Sequence, residues 1–221
     1  MLNIINLMTL VHHVKEKKKY NIIYADPPWR YQQKNLSGAA EHHYRTMSVN
    51  DICNLPVEEL ADRNSVLFLW TTFPQLQEAM AVIGAWGFCY KTVAFVWLKQ
   101  NKRAESWFFG LGFWTRGNAE ICLLATKGKP RRLSAHIHQL IISPVRGHSE
   151  KPGEARDKIL ELMGDLPRIE LFARQKTDGW NVWGNEVDSD IVLETDIDKE
   201  VPRSVRQLDR TELTKCTEHM E

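Results

Sequence analysis

Short runs of hydrophobic residues alternate with amphipathic segments along most of the chain. Runs rich in β-branched and aromatic residues predict buried strands at 21–25, 65–70, 90–98, 119–126 and 168–172. Helices are predicted to begin near Ser48, Pro74 and Pro152, where a capping residue or a proline precedes apolar positions at helical spacing. Strands alternating with helices predict an α/β fold, with a mostly parallel sheet covered by helices on both faces.

Two long segments interrupt this alternation, and the pattern changes again near the end. Residues 30–46 are polar, and residues 101–117 carry the aromatic side chains Trp107, Phe108, Phe109, Phe113 and Trp114. Loops of this length in a compact domain are usually functional or disordered. From Val187 onward the chain is acidic and aperiodic. We therefore predict a leader over 1–19, a single domain over 20–187, and a poorly ordered or separately packed acidic tail over 188–221.

Composition excludes several classes of protein. A length of 221 residues with 43% hydrophobic residues suits one globular domain, and a net charge of +1 gives no strong global attraction to nucleic acid. The four cysteines lie far apart, and His136 and His138 have no evident third ligand, so neither a disulfide framework nor a metal site is expected. The apolar start is too short to span a membrane. We expect a cytoplasmic protein with reduced thiols and no membrane segment.

The tetrapeptide Asp26-Pro27-Pro28-Trp29 directly follows the first predicted strand. The prolines fix the backbone and cannot continue a helix or a ladder, so we expect a rigid loop with an acid, two free carbonyl groups and an aromatic ring. Ligands bind at this end of the strands in open α/β sheets. A loop of this kind suits an amino group on a planar ring, although the tetrapeptide alone is equally compatible with a simple turn.

The chemistry of such an amine makes the pattern specific. Its lone pair is delocalised into the ring, so it is a poor nucleophile. Two acceptors, the Asp26 carboxylate and the Pro27 carbonyl, would favour the form with an available lone pair. Trp29 and Tyr44 are candidates to stack on the ring, as aromatic side chains do in enzymes that flip a base out of its stack.

Eight ordered segments resemble the adenine-N6 methyltransferase family with a DPPW catalytic loop, which includes the catalytic subunit of the eukaryotic messenger-RNA methyltransferase. They span roughly residues 20 to 187 and read Ala25-Asp26-Pro27-Pro28-Trp29, Tyr44-Arg45-Thr46-Met47-Ser48, Leu67-Phe68-Leu69-Trp70, Val96-Trp97-Leu98-Lys99, the stretch 114–120, Glu150-Lys151-Pro152, Ile169-Glu170-Leu171-Phe172-Ala173-Arg174, and Gly179-Trp180 with Trp183-Gly184-Asn185. The compact chain is most similar to the bacterial and phage members.

This resemblance implies a Rossmann-like methyltransferase sheet in a permuted order, with S-adenosyl-L-methionine as methyl donor and the catalytic loop before the main cofactor elements. Asp26, Pro27, Pro28 and Trp29 would form the catalytic loop. The positions that match the target-base pocket are Tyr44, Trp70, Trp97 and Glu120. The positions that match cofactor contacts are Lys151, Arg174, Asn185 and Glu186.

Departures from the family pattern and several alternatives remain. No acid stands near Met8, where members often hold the cofactor's adenine, and Glu186 replaces a usual amide. The compactness favours DNA over RNA as the nucleic-acid partner. RNA adenine, a protein amide, or the role of a catalytically silent binding subunit are the alternatives, and the intact Asp26 loop argues against the last. The family also implies a possible homodimer through residues 101–117, and the basic loop 127–132 is expected at the ligand edge.

Overall fold

The computed structural model describes residues 18–30, 46–112, 114–147 and 149–193. Tyr44, nearly all of the predicted leader and most of the predicted tail lie outside the described residues. The strands are β1 (Tyr20–Ala25), β2 (Ala61–Thr71), β3 (Cys89–Gln100), β4 (Ala119–Lys127), β5 (Leu140–Pro144), β6 (Arg168–Leu171) and β7 (Asn181–Trp183). The helices are α1 (Val49–Cys53), α2 (Leu76–Ala85) and α3 (Glu154–Met163), with 3₁₀ turns at Val57–Glu59 and Phe73–Gln75.

The seven strands form one sheet in the order β5-β3-β4-β2-β1-β6-β7. The pairings β1·β2, β1·β6, β3·β5 and β6·β7 are parallel, whereas β4 is antiparallel to both β2 and β3. The predicted α/β class with a mostly parallel sheet is therefore confirmed.

Alternation along each strand supplies two cores, one on each face of the sheet. In β1, Ile23 and Ala25 join the core beneath α1 and α2, while Ile22 and Tyr24 join the core beneath α3. Burial on both faces explains why these strands read as continuous apolar runs instead of alternating with polar residues. The expectation of helices on both faces is confirmed.

The helix starts follow the predicted signals closely. Ser48 caps α1 in a capping box, because its side chain accepts from the Asp51 backbone while the Asp51 carboxylate accepts from the Ser48 backbone. Pro74 opens a 3₁₀ turn that leads into α2, and α3 begins two residues after Pro152. None of the described helices combines the length and apolarity needed to cross a membrane.

Two short strands and the position of one loop differ from the predictions. β5 lies at the sheet edge with alternate exposed residues, and β7 has only three residues, so neither gives a long apolar signal. The basic loop 127–132 was expected beside the carboxyl ends of the parallel strands, where ligands bind. This prediction is wrong, because β4 is antiparallel and therefore ends beside the amino ends of those strands. Cys53 and Cys122 are free thiols.

The strand directions gather the functional segments at one edge. β3 and β2 are both antiparallel to β4, so they run in the same direction as each other. The carboxyl ends of β1, β2, β3, β5, β6 and β7 therefore meet at one edge, where β4 begins at Ala119. Ligands bind at this edge in open α/β sheets.

A glycine beside this edge provides a test of backbone packing. A Cβ at Gly184 would collide with the Ala173 backbone, which already donates its amide to the Trp183 carbonyl. We expect Gly184→Ala to lower the free energy of unfolding by roughly 1–3 kcal/mol, the usual cost of overpacking, in urea titrations. Gly84→Ala is the control, because a Cβ at this site in α2 meets no atom within 4 Å.

The control should raise stability by roughly 0.5–1 kcal/mol, because alanine in a helix interior loses less conformational freedom than glycine. Equal changes in the two variants would contradict the close approach at Gly184.

Candidate active site

The loop after β1 is held by hydrogen bonds along its whole length. The Pro27 carbonyl accepts from the Trp29 amide at 2.9 Å, and the Pro28 carbonyl accepts from the Met47 amide at 2.9 Å. The Trp29 indole donates to the Trp70 carbonyl at 3.2 Å. The loop is therefore rigid as predicted, but its two carbonyl groups are not free. Because a carbonyl oxygen has two lone pairs, the Pro27 oxygen keeps capacity for a second donor.

A buried lysine joins two carboxylates beside this loop. The Lys151 Nζ lies 2.7 Å from the Asp26 Oδ2 and 3.2 Å from the Glu120 Oε2, and it donates to the Ser149 carbonyl at 3.1 Å. The Lys151 side chain is only 6% exposed. An ammonium has three N–H groups, so these three acceptors use all of them. Ser149 itself has φ 56°, an uncommon conformation for a residue other than glycine.

A second lysine completes the cluster. The Lys99 Nζ contacts the Glu120 Oε1 at 2.5 Å, so Glu120 lies between two ammonium groups. The cluster holds two anions and two cations: Asp26, Glu120, Lys99 and Lys151. Buried charges are tolerated when they are paired and hydrogen-bonded in this way.

The pKa values follow from burial and pairing. Burial raises the pKa of Asp26 above its ordinary 3.8, although Lys151 opposes this effect, and Glu120 raises it further. Burial also acts to raise the pKa of Glu120, but Lys151 and Lys99 outweigh it and hold that pKa below 4.5. Burial disfavours the charge on Lys151, yet the two carboxylates raise its pKa above 10.5. Glu120 and Lys151 are thus ionised at neutral pH, and Asp26 is the more readily protonated carboxyl.

A small pocket opens over the cluster. It is lined by Asp26, Pro27, Trp29, Thr71, Thr72, Glu120, Ser149 and Lys151. These residues come from the ends of β1 and β2, the start of β4 and the segment before α3. The lining combines one aromatic ring, that of Trp29, with the charged groups of Asp26, Glu120 and Lys151, a set of side chains suited to a planar ring that carries an amino group.

The two tryptophans matched to the target-base pocket are buried beside the two lysines of the cluster. Trp70 is fully buried, its indole donates to the Tyr24 hydroxyl at 2.8 Å, and its ring lies 5.9 Å from the Lys151 Nζ. Trp97 is 2% exposed and donates to the Ser143 carbonyl at 3.1 Å. Neither is among the residues that line the pocket, and a direct contact of either with a base stays a prediction.

An ion pair between α3 and β6 lies next to Tyr24, the residue that accepts from the Trp70 indole. Arg156 of α3 donates twice to Glu170 of β6, at 2.8 and 2.6 Å, and its guanidinium lies 5.4 Å from the centre of the Tyr24 ring. Tyr24 in turn accepts from Trp70. This series of contacts fixes the Trp70 ring in the core on the α3 side of the sheet, whereas Trp29 belongs to the core on the other side.

The remaining predicted cofactor residues lie farther along the same edge. Arg174 follows β6, and Asn185 and Glu186 follow β7. The Arg174 Nε is 3.9 Å from the Glu186 Oε1, and Asn185 and Glu186 are exposed. A turn with φ 63° at Phe172 begins this segment, and the Phe172 ring packs edge-on against Trp183 at 5.4 Å. Arg174 is near enough to the cluster to act against the raised pKa of Asp26, and the cofactor roles of Arg174, Asn185 and Glu186 stay predictions.

The structure adds residues that the sequence argument did not assign. Lys99 was recognised only as part of a matching segment, and Thr71, Thr72 and Ser149 had no role. A lysine that ends an apolar strand beside Trp97 was the one available signal for Lys99. Within the described ranges, no group of three or more His, Cys, Asp and Glu side chains is placed to hold a metal ion.

The sequence model of the MT-A70 family matches residues 20–186. The type II methyltransferase M.MunI from a Mycoplasma species is 34% identical over 191 residues, covering 77% of this chain and 79% of that protein. The human N(6)-adenosine-methyltransferase catalytic subunit METTL3 is 28% identical over 183 residues, covering 81% of this chain and 30% of that protein. A Drosophila melanogaster MT-A70-like N(6)-adenosine-methyltransferase is 30% identical, and 27% of its length is covered.

The hydrogen bond between Trp70 and Tyr24 allows a stability test with a matched control, Tyr20, in the same strand. Tyr24→Phe removes the acceptor of the buried Trp70 indole, and we expect it to cost about 1–3 kcal/mol of unfolding free energy because the N–H is left unsatisfied. Tyr20→Phe removes a buried hydroxyl that has no hydrogen-bond partner among the described residues, so it should be neutral or stabilising. Guanidinium titrations of both variants measure the difference, and a Tyr20→Phe loss as large as that of Tyr24→Phe would refute the assigned bond.

Proposed function

Because the chain belongs to the MT-A70 family, we propose that it transfers a methyl group from S-adenosyl-L-methionine to the N6 amine of adenine in nucleic acid, with DNA favoured over RNA. The predicted family and the predicted enzyme class, an adenine-N6 methyltransferase, are confirmed by the matches. The observation that carries the mechanism is the Asp26 carboxylate, held by Lys151 in a pocket that Trp29 also lines. DNA is supported by the higher identity to the bacterial type II methyltransferase, 34%, than to the human N(6)-adenosine-methyltransferase subunit, 28%.

Asp26 is proposed to accept a hydrogen bond from the adenine amino group. The bond would favour the pyramidal nitrogen, whose lone pair points towards the incoming methyl carbon. The second lone pair of the Pro27 oxygen can accept the other N–H, since its first already accepts from Trp29. The nitrogen–carbon bond would form as the donor's carbon–sulfur bond breaks to leave a neutral thioether, and the excess proton would pass from the nitrogen to Asp26, directly or through water.

Lys151 is proposed to orient the Asp26 carboxylate instead of binding substrate. It holds the Oδ2 atom at 2.7 Å, which leaves the Oδ1 atom to face the amine. The same ammonium favours the ionised form of Asp26, the form that accepts, against the effect of burial on the Asp26 pKa. This arrangement needs no covalent enzyme intermediate.

The chemistry of the remaining side chains fits the proposed methyl donor. The cofactor supplies a methyl group activated by a sulfonium centre. Arg174 suits its carboxylate, and Asn185 and Glu186 suit ribose hydroxyls. Lys151 fits the cofactor less well than expected, because a further carboxylate would have to displace one of its three protein acceptors.

We expect Asp26→Ala to lower methyl transfer by at least roughly 100-fold, the scale of a lost proton acceptor. The assay uses labelled S-adenosyl-L-methionine with adenine-containing DNA and RNA oligonucleotides, followed by identification of N6-methyladenine. Asp165→Ala is the control, because the Asp165 side chain is 91% exposed and pairs only locally with Arg168. Full activity of Asp26→Ala would overturn the mechanism, and methylation of RNA alone would overturn the choice of DNA.

We also propose that two copies of the chain associate through the loop 101–117. Among its described residues, Trp107, Phe109, Leu111 and Trp114 are 54%, 73%, 63% and 99% exposed. A group of large apolar side chains at this exposure is typical of an interaction surface. The resemblance of this segment to a subunit interface in the family favours a second copy as the partner.

Light scattering tests the association. Wild type is expected at twice the mass of the chain, and Phe109→Ser/Trp114→Ser at the mass of one chain. The control Leu133→Ser/Val192→Ser removes side chains that are 77% and 83% exposed elsewhere, and it should remain dimeric. A monomeric wild type, or a loop variant that stays dimeric, would contradict the proposal.

A further inference from the structure

We infer that Lys99 is a positioning residue that holds Glu120 and so leaves Lys151 to orient Asp26. The inference rests on the proposed function for its catalytic meaning, since Asp26 is the acceptor in that proposal. The inference goes beyond the proposed function because it assigns a role to Lys99, which is not among the residues that line the pocket.

The geometry begins with one cation shared between two anions. Lys151 contacts Asp26 at 2.7 Å and Glu120 at 3.2 Å, so the two carboxylates compete for it. Glu120 is 9% exposed and has little water to satisfy its charge. Lys99 supplies a second cation, on the other carboxylate oxygen of Glu120. Because Glu120 has this second partner, Lys151 can make its shorter contact with Asp26.

Several contacts fix Lys99 in this position. In the β3·β4 register Trp97 lies opposite Glu120, so a side chain two residues later, on the same face, reaches the Glu120 carboxylate. The Lys99 Nζ lies 5.0 Å from the centre of the Trp97 ring and 5.9 Å from that of Phe108. The Lys99 backbone donates to the Asn118 carbonyl and accepts from the Phe108 amide. The two backbone bonds fix the Lys99 main chain, and the two rings flank its ammonium group, so the side chain loses little freedom when it pairs with Glu120.

The charge balance predicts how the variants will behave. Removing Lys99 leaves Glu120 with Lys151 as its cation in the cluster, so one ammonium must balance two carboxylates. The extra negative charge near Asp26 disfavours the ionised form of Asp26 and raises its pKa. Removing the Glu120 charge lowers the pKa of Asp26, because one negative charge is lost and Lys151 then pairs with Asp26 alone. Removing the charges of Lys99 and Glu120 together leaves the net charge of the cluster, and so the pKa of Asp26, close to that of wild type. Other titratable groups that act on Asp26, or lie beneath it, are unchanged in every variant: Tyr24, Cys122, Arg156, Lys151 and Arg174.

The experiment compares wild type with Lys99→Met, Glu120→Gln and the double variant. Carbon-13 NMR of protein labelled at the aspartate carboxyl carbon, with Asp26→Asn to assign the signal, measures the Asp26 pKa without substrates. We expect the lowest value in Glu120→Gln, similar values in wild type and the double variant, and a value about one unit above wild type in Lys99→Met. On the acid limb of the pH profile, kcat/KM of Lys99→Met should then fall about tenfold, and Lys99→Arg should recover most of it.

The outcomes separate this inference from the proposed function. Equal Asp26 pKa values in all four proteins would overturn the inference, even if wild type is fully active. The expected order of pKa values in a wild type that transfers no methyl group would support the cluster and refute the proposed function. If Lys99→Met does not fold, Lys99→Gln makes the same comparison, because its amide can still donate to Glu120 but carries no charge.

Discussion

The ammonium of Lys151 is the interaction on which the site depends. It is buried, it contacts two carboxylates and one carbonyl, and it joins the segment before α3 to the ends of β1 and β4. Removing one partner of a buried charge pair typically costs about 3–5 kcal/mol, because the other charge is left without compensation. The same contact therefore orients the acid proposed to act in catalysis and fixes three chain segments relative to one another.

The direction of β4 makes this cluster possible. A parallel strand at this position would begin at the opposite edge, and an acid at its start would lie far from Asp26. Because β4 is antiparallel, Glu120 at its beginning faces the carboxyl ends of β1 and β3. The same reversal sends the basic loop 127–132 to the distant edge, which separates that positive charge from the pocket.

Aromatic side chains divide into two groups by position. Tyr24, Trp70 and Trp97 are buried and hydrogen-bonded beneath the charged cluster, whereas Trp29 lines the pocket. A buried indole keeps its N–H satisfied only through a definite partner, so each ring under the cluster is fixed in orientation. The exposed aromatics of loop 101–117 have no such constraint and suit contact with another molecule.

The sequence alone determined the local features of the protein. Hydrophobic periodicity identified β1 to β4 and β6, Ser48 and Asp51 specified a capped helix, and Asp26-Pro27-Pro28-Trp29 predicted a constrained loop at the end of β1, because these signals arise within a few residues. Only the tertiary structure decided that Lys151 pairs with Asp26 across 125 positions, that Lys99 holds Glu120, and that the Pro27 and Pro28 carbonyls are engaged. Those contacts depend on strand order, direction and register, which packing of the whole chain selects.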